Sequence, residues 1–199
     1  MRRTCLFFCS VLVATSAFAR AKIEVKDIVD HPFSADFSAG GKLRLHVRSG
    51  EVHVIGTDQN RISVELSGRK VDQAHDVRVN LSEKRGVTEV AITGGPKNEL
   101  TITVRIPRDT DLYARIPFGE VHVEGVEGDK DISIHAGDLT VAVGKSSDYA
   151  RVDASVISGE LDGEPFGEER GGLFRSFHKE GPGKYRLYAH VGAGQLTLQ

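Results

Sequence analysis

The sequence contains no tryptophan, a single methionine and only two cysteines, and its charges almost cancel. Both cysteines, Cys5 and Cys9, stand within the first nine residues, so the rest of the chain offers no thiolate for zinc binding or for nucleophilic catalysis. Lysine and arginine number 26 against 28 acidic residues, and this balance does not indicate nucleic-acid binding. After the first twenty residues, no apolar run reaches the roughly 18 residues of a membrane-spanning helix.

The N-terminal residues have the three-part pattern of a secretory signal peptide over positions 1–19. A short basic start is followed by an apolar run over Thr4–Ala14 and then by small residues. We predict cleavage between Ala19 and Arg20, and cleavage after Ala21 is the alternative. The protein is therefore expected to be exported, either to the periplasm or to the cell surface and the extracellular space.

From residue 42 onward, apolar and polar residues alternate with a period of two. In the segment 100–106, for example, Ile102, Val104 and Ile106 alternate with polar side chains. Such alternation places one face of a strand on a core and the other in solvent. No segment after the signal peptide keeps a helical period over ten residues. The sequence therefore predicts an all-β chain.

The alternation is organised in a repeat centred on glycine. Each unit reads apolar-x-apolar-x-x-Gly-acid-apolar-x-apolar, with glutamine once in place of the acid. Nineteen of the twenty apolar positions hold apolar residues, against about eight expected from an apolar content of 39%. Each glycine is expected to form a corner between two strands, where the backbone needs a positive φ or approaches another backbone closely. The corner glycines are Gly50, Gly119, Gly137, Gly159 and Gly194.

The spacing of these corners predicts one elongated domain over residues 42–199, preceded by a linker or edge strand over 20–41. The last four glycines are 18, 22 and 35 residues apart, and a period near 20 residues is typical of a solenoid. We expect stacked short strands in a solenoid-like architecture, with a loop insertion at 164–184. A two-sheet β-sandwich is the alternative, because it also consists of short strands with regular turns.

Four segments of the chain resemble a known protein family. They are Ser49–Val54, Phe118–Val123, the strand end Val104–Pro107 and the closing segment Gly192–Leu198. These segments resemble the bacterial putative-adhesin family of β-strand-repeat proteins of unknown function. The resemblance covers roughly residues 42–199. It implies an exported envelope protein built from stacked short strands, and it implies no catalytic residues.

Polar residues recur at two positions of the repeat and raise the question of metal binding. His53, His122 and Asp162 all stand three residues after a corner glycine, and two imidazoles with a carboxylate would suit zinc or a similar ion. Solvated strand faces are the favoured interpretation, because 69 residues separate the two histidines. The acids that follow the glycines would suit calcium if they converged, but hydrogen bonds to turn amides are favoured because no calcium-loop motif occurs. These acids are Glu51, Glu120, Asp138 and Glu160. We predict no resident metal or cofactor.

The segment 164–184 combines the glycines and prolines of loops with apolar and basic side chains. If exposed, these side chains would form an aromatic and cationic patch for a protein, a glycan or an anionic surface. If buried, they would cap an open end of the stack, and this interpretation is favoured because repeat stacks need caps. The candidate patch consists of Phe166, Leu173, Phe174, Arg175 and Phe177.

No catalytic arrangement stands out in the sequence, which lacks a Gly-x-Ser-x-Gly elbow and a phosphate-binding glycine loop. The sequence favours an exported, non-enzymatic β-repeat module that binds a surface as adhesins do, or that acts as an envelope scaffold. Its partner would be an envelope or surface protein or a glycan. Two alternatives stay open: a carbohydrate-active envelope hydrolase with paired carboxylates, and a self-assembling element whose open strand edge pairs with other copies.

Overall fold

The structure, a computed structural model, describes residues 22–199, and the predicted signal peptide and its cleavage positions lie outside the described residues. Most of the described chain is strand, with three one-turn 3₁₀ helices at Val71–Gln73, Ser146–Asp148 and Glu164–Phe166. The all-β prediction is confirmed. The strands are β1 (Lys22–Lys26), β2 (Phe33–Asp36), β3 (Lys42–Val47), β4 (Ser49–Thr57), β5 (Arg61–Ser67), β6 (Arg78–Lys84), β7 (Val87–Thr93), β8 (Thr101–Pro107), β9 (Asp111–Glu124), β10 (Lys130–Val141), β11 (Tyr149–Gly163), β12 (Glu168–Glu180) and β13 (Tyr185–Leu198).

All thirteen strands belong to one sheet with two arms that meet at the glycine corners. Strand β9 shows the arrangement, because its residues before Gly119 pair with β3 and its residues after Gly119 pair with β4. The first arm has the order β1-β6-β7-β3-β9, and the second has the order β2-β5-β8-β4-β9. From β9 the sheet continues through β10, β13 and β11 to β12. Apolar residues of both arms join a single buried cluster.

The repeats stack in register through parallel strand pairs, but not in chain order. Gly50 pairs with Gly119, Gly119 pairs with Gly137, and Gly194 pairs with Gly159. The C-terminal strand β13 lies between β10 and β11, so the last of the five glycine repeats in the chain is the fourth of them along the stack. The choice between a solenoid-like stack and a two-sheet sandwich stays a prediction.

Glycine is needed at the corners for two physical reasons. Gly119 and Gly137 have φ values of +133° and +130°, a region that residues with a side chain rarely adopt. A Cβ atom on Gly137 would also collide with the carbonyl oxygen of Gly119, and one on Gly119 would collide with that of Gly50. The corners therefore meet backbone to backbone, and each repeat carries glycine where they meet.

One further unit of the stack has no glycine corner. Val47 of β3 pairs with Ile92 of β7, and Glu51 of β4 pairs with Thr101 of β8. Residues 93–100 thus stand where residues 48–50 form the neighbouring corner. This unit therefore continues the stack without a glycine paired at the corner position.

The outermost strands of the sheet come from segments that the sequence leaves open or predicts differently. Within residues 22–199, β1 pairs only with β6 and β2 pairs only with β5. Where the sequence predicts a loop at 164–184, the structure has β12, antiparallel to β11. The glycine content of this segment is misleading because Gly172 pairs with the corner Gly159, so it serves a strand corner and not a loop.

Candidate functional site

An open groove of about 810 Å³ crosses the first arm of the sheet next to the corners. It lies on the outward face, where the residues four and two positions before each glycine point away from the core. Its lining combines imidazole, guanidinium and apolar groups from β3, β7, β9, β10, β13 and β11. The residues that matter most are His46, Arg115, His135, Ile157, His190 and Ala193.

The one arginine of β9 in this groove is already held by neighbours. Arg115 Nη2 donates to Asp131 Oδ1 at 2.7 Å, and its guanidinium lies 3.7 Å from the ring centroid of Tyr113. Cation–π contact and a carboxylate together fix the side chain and offset its charge. Beside the groove, Phe118 and His135 form a T-shaped ring pair at 5.9 Å. The groove is therefore a preformed surface of rings and short polar groups.

A serine and a histidine in this region form the contact most similar to a nucleophile–base pair. Ser155 Oγ lies 2.8 Å from His190 Nδ1 across β11 and β13. Within residues 22–199, no carboxylate forms an ion pair or hydrogen bond with His190, so nothing orients the imidazole as the acid of a triad does. The pair satisfies two cross-strand polar groups but does not complete a hydrolytic site. Its contact was not evident in the sequence, because 35 residues separate the partners.

The structure divides the predicted interaction patch into a buried and an exposed half. Phe166 and Phe177 are each only 6% exposed, and their ring centroids lie 6.1 Å apart. Leu173 and Phe174, in contrast, are 62% and 79% exposed. Arg175 is also exposed and donates from Nε to the carbonyl oxygen of Gly171 at 2.6 Å. The segment thus buries two aromatic rings and presents two large apolar side chains to solvent.

The exposed half continues onto the neighbouring strand. Val156 pairs with Arg175 and Ser158 pairs with Leu173, so Ile157, which is itself exposed, lies across from Phe174. Phe174 has a φ of +52°, which is uncommon for a residue with a side chain. We name the set Ile157, Leu173 and Phe174 the apolar tip. Because Ile157 also lines the groove, the tip and the groove form one continuous surface.

The two histidines proposed from the repeat lie side by side on the other arm. His53 of β4 and His122 of β9 are direct cross-strand partners, and their ring centroids are 4.9 Å apart. Asp162, in contrast, lies on β11, which β10 and β13 separate from β9. Because β13 is inserted between β10 and β11, three strand spacings separate β9 from β11. They amount to about 14 Å. Asp162 accepts a hydrogen bond from the backbone N–H of Glu164 at 3.0 Å instead.

A glutamate that the sequence groups with the acids following the corner glycines lies beside the two histidines. Glu51 Oε1 lies 2.8 Å from His53 Nε2, and Glu51 Oε2 accepts a hydrogen bond from Thr101 Oγ1 at 2.9 Å. These hydrogen bonds, first that from His53 and then that from Thr101, lower the pKa of the Glu51 carboxyl. Glu120 Oε2 lies 4.0 Å from His122 Nε2. On each of the two strands a glutamate stands two residues before the histidine, so both side chains lie on the same face. Because the strands pair in parallel register, the four groups lie together.

The remaining acids of the column do not converge on one point. Asp138 Oδ1 accepts a hydrogen bond from the backbone N–H of Gln195 at 2.9 Å, which is the turn-amide role favoured from the sequence. Glu160 pairs with Gln195 across β11 and β13, at the opposite end of the stack from Glu51. Asp138 and Glu160 therefore lie at different points along the line of corners and do not form one cluster of carboxylates with Glu51.

Lys130, which no sequence motif marks, is the one charged side chain among the described residues that is buried in the core. It is 1% exposed, and its Nζ donates to Gly128 O and to Tyr149 Oη at 3.0 Å each. Burial lowers the pKa of Lys130 to about 8 and raises that of Tyr149. The period-two alternation could have revealed this burial, since Lys130 stands two residues before Ile132 on the core-facing side of β10.

Comparison with known proteins reveals a structural relative and no relative by sequence. A crystal structure described as that of a putative cell adhesion protein from Clostridium sporogenes ATCC 15579 matches at a TM-score of 0.51 and 13% identity, over 84% of this chain and 97% of that chain. The two chains share a fold. The resemblance to putative adhesins that the sequence indicates is thereby confirmed at the level of the fold.

A second structure, described as a putative adhesin from Bacteroides fragilis NCTC 9343, matches at a TM-score of 0.32 and 9% identity, over 84% of this chain and 96% of that chain. No protein-family model matches the sequence. No curated protein matches it either. In the part of the chain that the structure describes, there is no helix with the length and apolar character needed to cross a membrane.

Proposed function

We propose that the chain is an exported, non-enzymatic β-repeat module that binds a surface partner as adhesins do. The observation that carries this proposal is the apolar tip, where three large apolar side chains lie exposed at one end of the stack. Soluble proteins seldom group such side chains on their surface unless they contact a partner. The shared fold with a structure described as a putative cell adhesion protein agrees with this function.

The groove beside the tip supports binding over catalysis. It is open, and His190, which lines it, contacts Ser155 without an orienting carboxylate among the described residues. Imidazole and guanidinium groups beside exposed rings suit the hydroxyl groups and apolar faces of sugars, or the side chains of a protein. We therefore expect a glycan or a protein as the partner, bound along the groove with the tip as its apolar anchor.

The binding experiment compares two variants with the wild type. Purified chain is applied to immobilised glycans and extracellular-matrix proteins, with Leu173→Ser/Phe174→Ser as the test variant and Ile23→Ser as the control. Ile23 is also an exposed apolar residue, but it lies on β1 at the far end of the sheet. We expect the tip variant to lose at least about tenfold in affinity and the control to bind as the wild type. Equal binding by all three proteins would refute the role of the tip.

The location of the protein is tested separately on intact cells. External protease and osmotic shock are compared, and the chain is followed by immunodetection. Loss of the chain from intact cells would support surface binding. Release by shock alone, with protection from protease, would contradict an adhesin-like role and favour an envelope scaffold.

One observation favours a second function, self-association through the sheet edge. In the part of the chain that the structure describes, β12 pairs only with β11, so no further strand lies along its outer edge. Exposed Arg175, Lys179 and Glu180 lie along this strand, and charged side chains on an edge oppose pairing with another copy. Surface binding is therefore the better supported function. Sedimentation at increasing concentration tests the second one, which requires a growing share of larger species.

A further inference from the structure

Two imidazoles and a carboxylate lie close enough on β4 and β9 to bind one metal ion. The candidate ligand atoms of Glu51, His53 and His122 all lie within 4.8 Å of one another. The cluster depends on the register, because His53 pairs with His122 and Glu51 pairs with Glu120 across parallel strands. It lies on the outward face of the second arm, away from the groove of the first arm, and is independent of the proposed surface binding.

The spacing of these atoms fits a transition-metal ion after small side-chain movements. Zinc binds histidine nitrogen and carboxylate oxygen at about 2.0–2.2 Å, which places neighbouring ligands of a tetrahedral site about 3.4 Å apart. The Glu51–His53 contact of 2.8 Å must open by about half an ångström, and the other ligand atoms, which lie within 4.8 Å of one another, must approach to about 3.4 Å. Because the three side chains are 34–43% exposed, rotation about their χ angles can make both adjustments without moving the strands.

The carboxylate is held in the orientation that a ligand needs. Thr101 Oγ1 donates to Glu51 Oε2 at 2.9 Å, which leaves Oε1 directed at the imidazole of His53. Hydrogen bonds of this kind orient metal ligands in many sites. Glu120, whose Oε2 lies 4.0 Å from His122 Nε2, is in reach as a fourth ligand. If Glu120 does not bind, this fourth position is open to water.

We propose that Glu51, His53 and His122 form a binding site for a divalent transition-metal ion, of which Zn²⁺ is the fitting example. Two imidazoles exclude calcium and magnesium as preferred ions, because these take oxygen ligands. Imidazole with carboxylate suits zinc, copper and nickel, and the cluster has no thiolate. With two histidines and one glutamate, the set has the composition of an open zinc site that keeps a position for water.

The test is a calorimetric titration of the full chain with Zn²⁺ alone. Every protein compared carries Cys5→Ser and Cys9→Ser, so that thiolates near the N-terminus do not bind the ion. We expect one Zn²⁺ per chain, and an affinity at least about tenfold lower in each of His53→Ala and His122→Ala. A titration without a saturable site, or one in which both variants keep the wild-type affinity, would overturn the proposal.

A matched control separates this cluster from an ordinary histidine–carboxylate pair. His75 Nδ1 lies 2.7 Å from Asp27 Oδ1 in an exposed pair that has no second imidazole. His75→Ala should leave the Zn²⁺ affinity unchanged. If His75→Ala lowers the affinity as much as His53→Ala does, binding is not specific to the cluster and the proposal is wrong.

Thermal unfolding provides a second readout that also detects misfolded variants. An ion that binds only the folded chain raises the unfolding midpoint by mass action. Saturating Zn²⁺ should raise the midpoint of the wild type and of His75→Ala by more than that of His53→Ala or His122→Ala. Each protein is measured with and without the ion, so the shift is read against that protein's own midpoint. A variant that is only less stable is therefore not mistaken for one that binds less Zn²⁺. An equal shift in all four proteins would contradict the site.

Discussion

The buried lysine makes the stability of this protein depend on pH in a direction that surface lysines do not produce. Lys130 Nζ is enclosed by the rings of Tyr149 and Tyr185, with centroids 5.0 and 5.8 Å away, and donates to Gly128 O and Tyr149 Oη. Burial lowers its pKa from 10.5 to about 8, since the acids nearby only partly offset the loss of water. The protonated form therefore destabilises the folded chain.

The sign and size follow from proton linkage. Between pH 8 and 10.5, the unfolded chain keeps the proton of Lys130 and the folded chain loses it, so stability rises with pH. The contribution changes by about 2 kcal/mol between about pH 7 and 9.5, and by about 3 kcal/mol over the whole range. Tyr149 acts in the opposite direction, because its raised pKa makes the folded chain lose stability as pH rises above 10. The measurement therefore stays below pH 10.

The assay is urea unfolding followed by far-ultraviolet circular dichroism, on the wild type and on Lys130→Met. The methionine variant lacks the titrating group, and all other groups cancel in the difference between the two proteins. We expect the free energy of unfolding of the wild type, relative to the variant, to rise by about 2 kcal/mol from about pH 7 to 9.5. A difference that stays constant within about 0.5 kcal/mol would show that Lys130 keeps its ordinary pKa and is not buried as described.

Two further predictions concern the corners and the cap. Gly137→Ala should lower the free energy of unfolding by more than about 3 kcal/mol, because its Cβ would collide with the carbonyl oxygen of Gly119 and its φ of +130° is strained for alanine. The control is Gly144→Ala, where φ is +68° but nothing lies within 4 Å, and it should lower the free energy of unfolding by about 1 kcal/mol. Similar losses in both, by urea unfolding, would count against the backbone contact between corners. Phe177→Ala should cost about 3–5 kcal/mol because the ring is buried, whereas Phe174→Ala on the same strand should cost less than about 0.5 kcal/mol because its ring is exposed. Equal thermal midpoints of these two variants would mean that β12 does not cap the core.

The corners and the strands could be predicted because they depend on local chemistry. Period-two alternation such as that of Ile102 and Val104 determines which face of a strand is buried, whatever its neighbour. A glycine such as Gly119 reports the backbone conformation of its own position and the closeness of the next strand. These features repeat along the chain, so a single sequence is enough to reveal them.

The candidate site could be predicted only in part. The repeat places His53 and His122 in one column, and the structure puts them side by side. The same reasoning adds Asp162 to the column but cannot measure how far along the stack it lies. Glu51 was assigned to a different column, because sequence spacing does not show that a side chain two residues away bends back to an imidazole.

The sequence by itself determined that this protein is an all-β chain with apolar residues on one face and glycine at each corner. Only the tertiary structure decided the order of the repeats, since the insertion of β13 between β10 and β11 depends on which strand edges are free. It also decided which aromatic rings are buried, because Phe177 and Phe174 differ in the face of β12 that they occupy. Local propensity is a property of each segment, whereas strand order and burial depend on the free energy of the whole packed sheet.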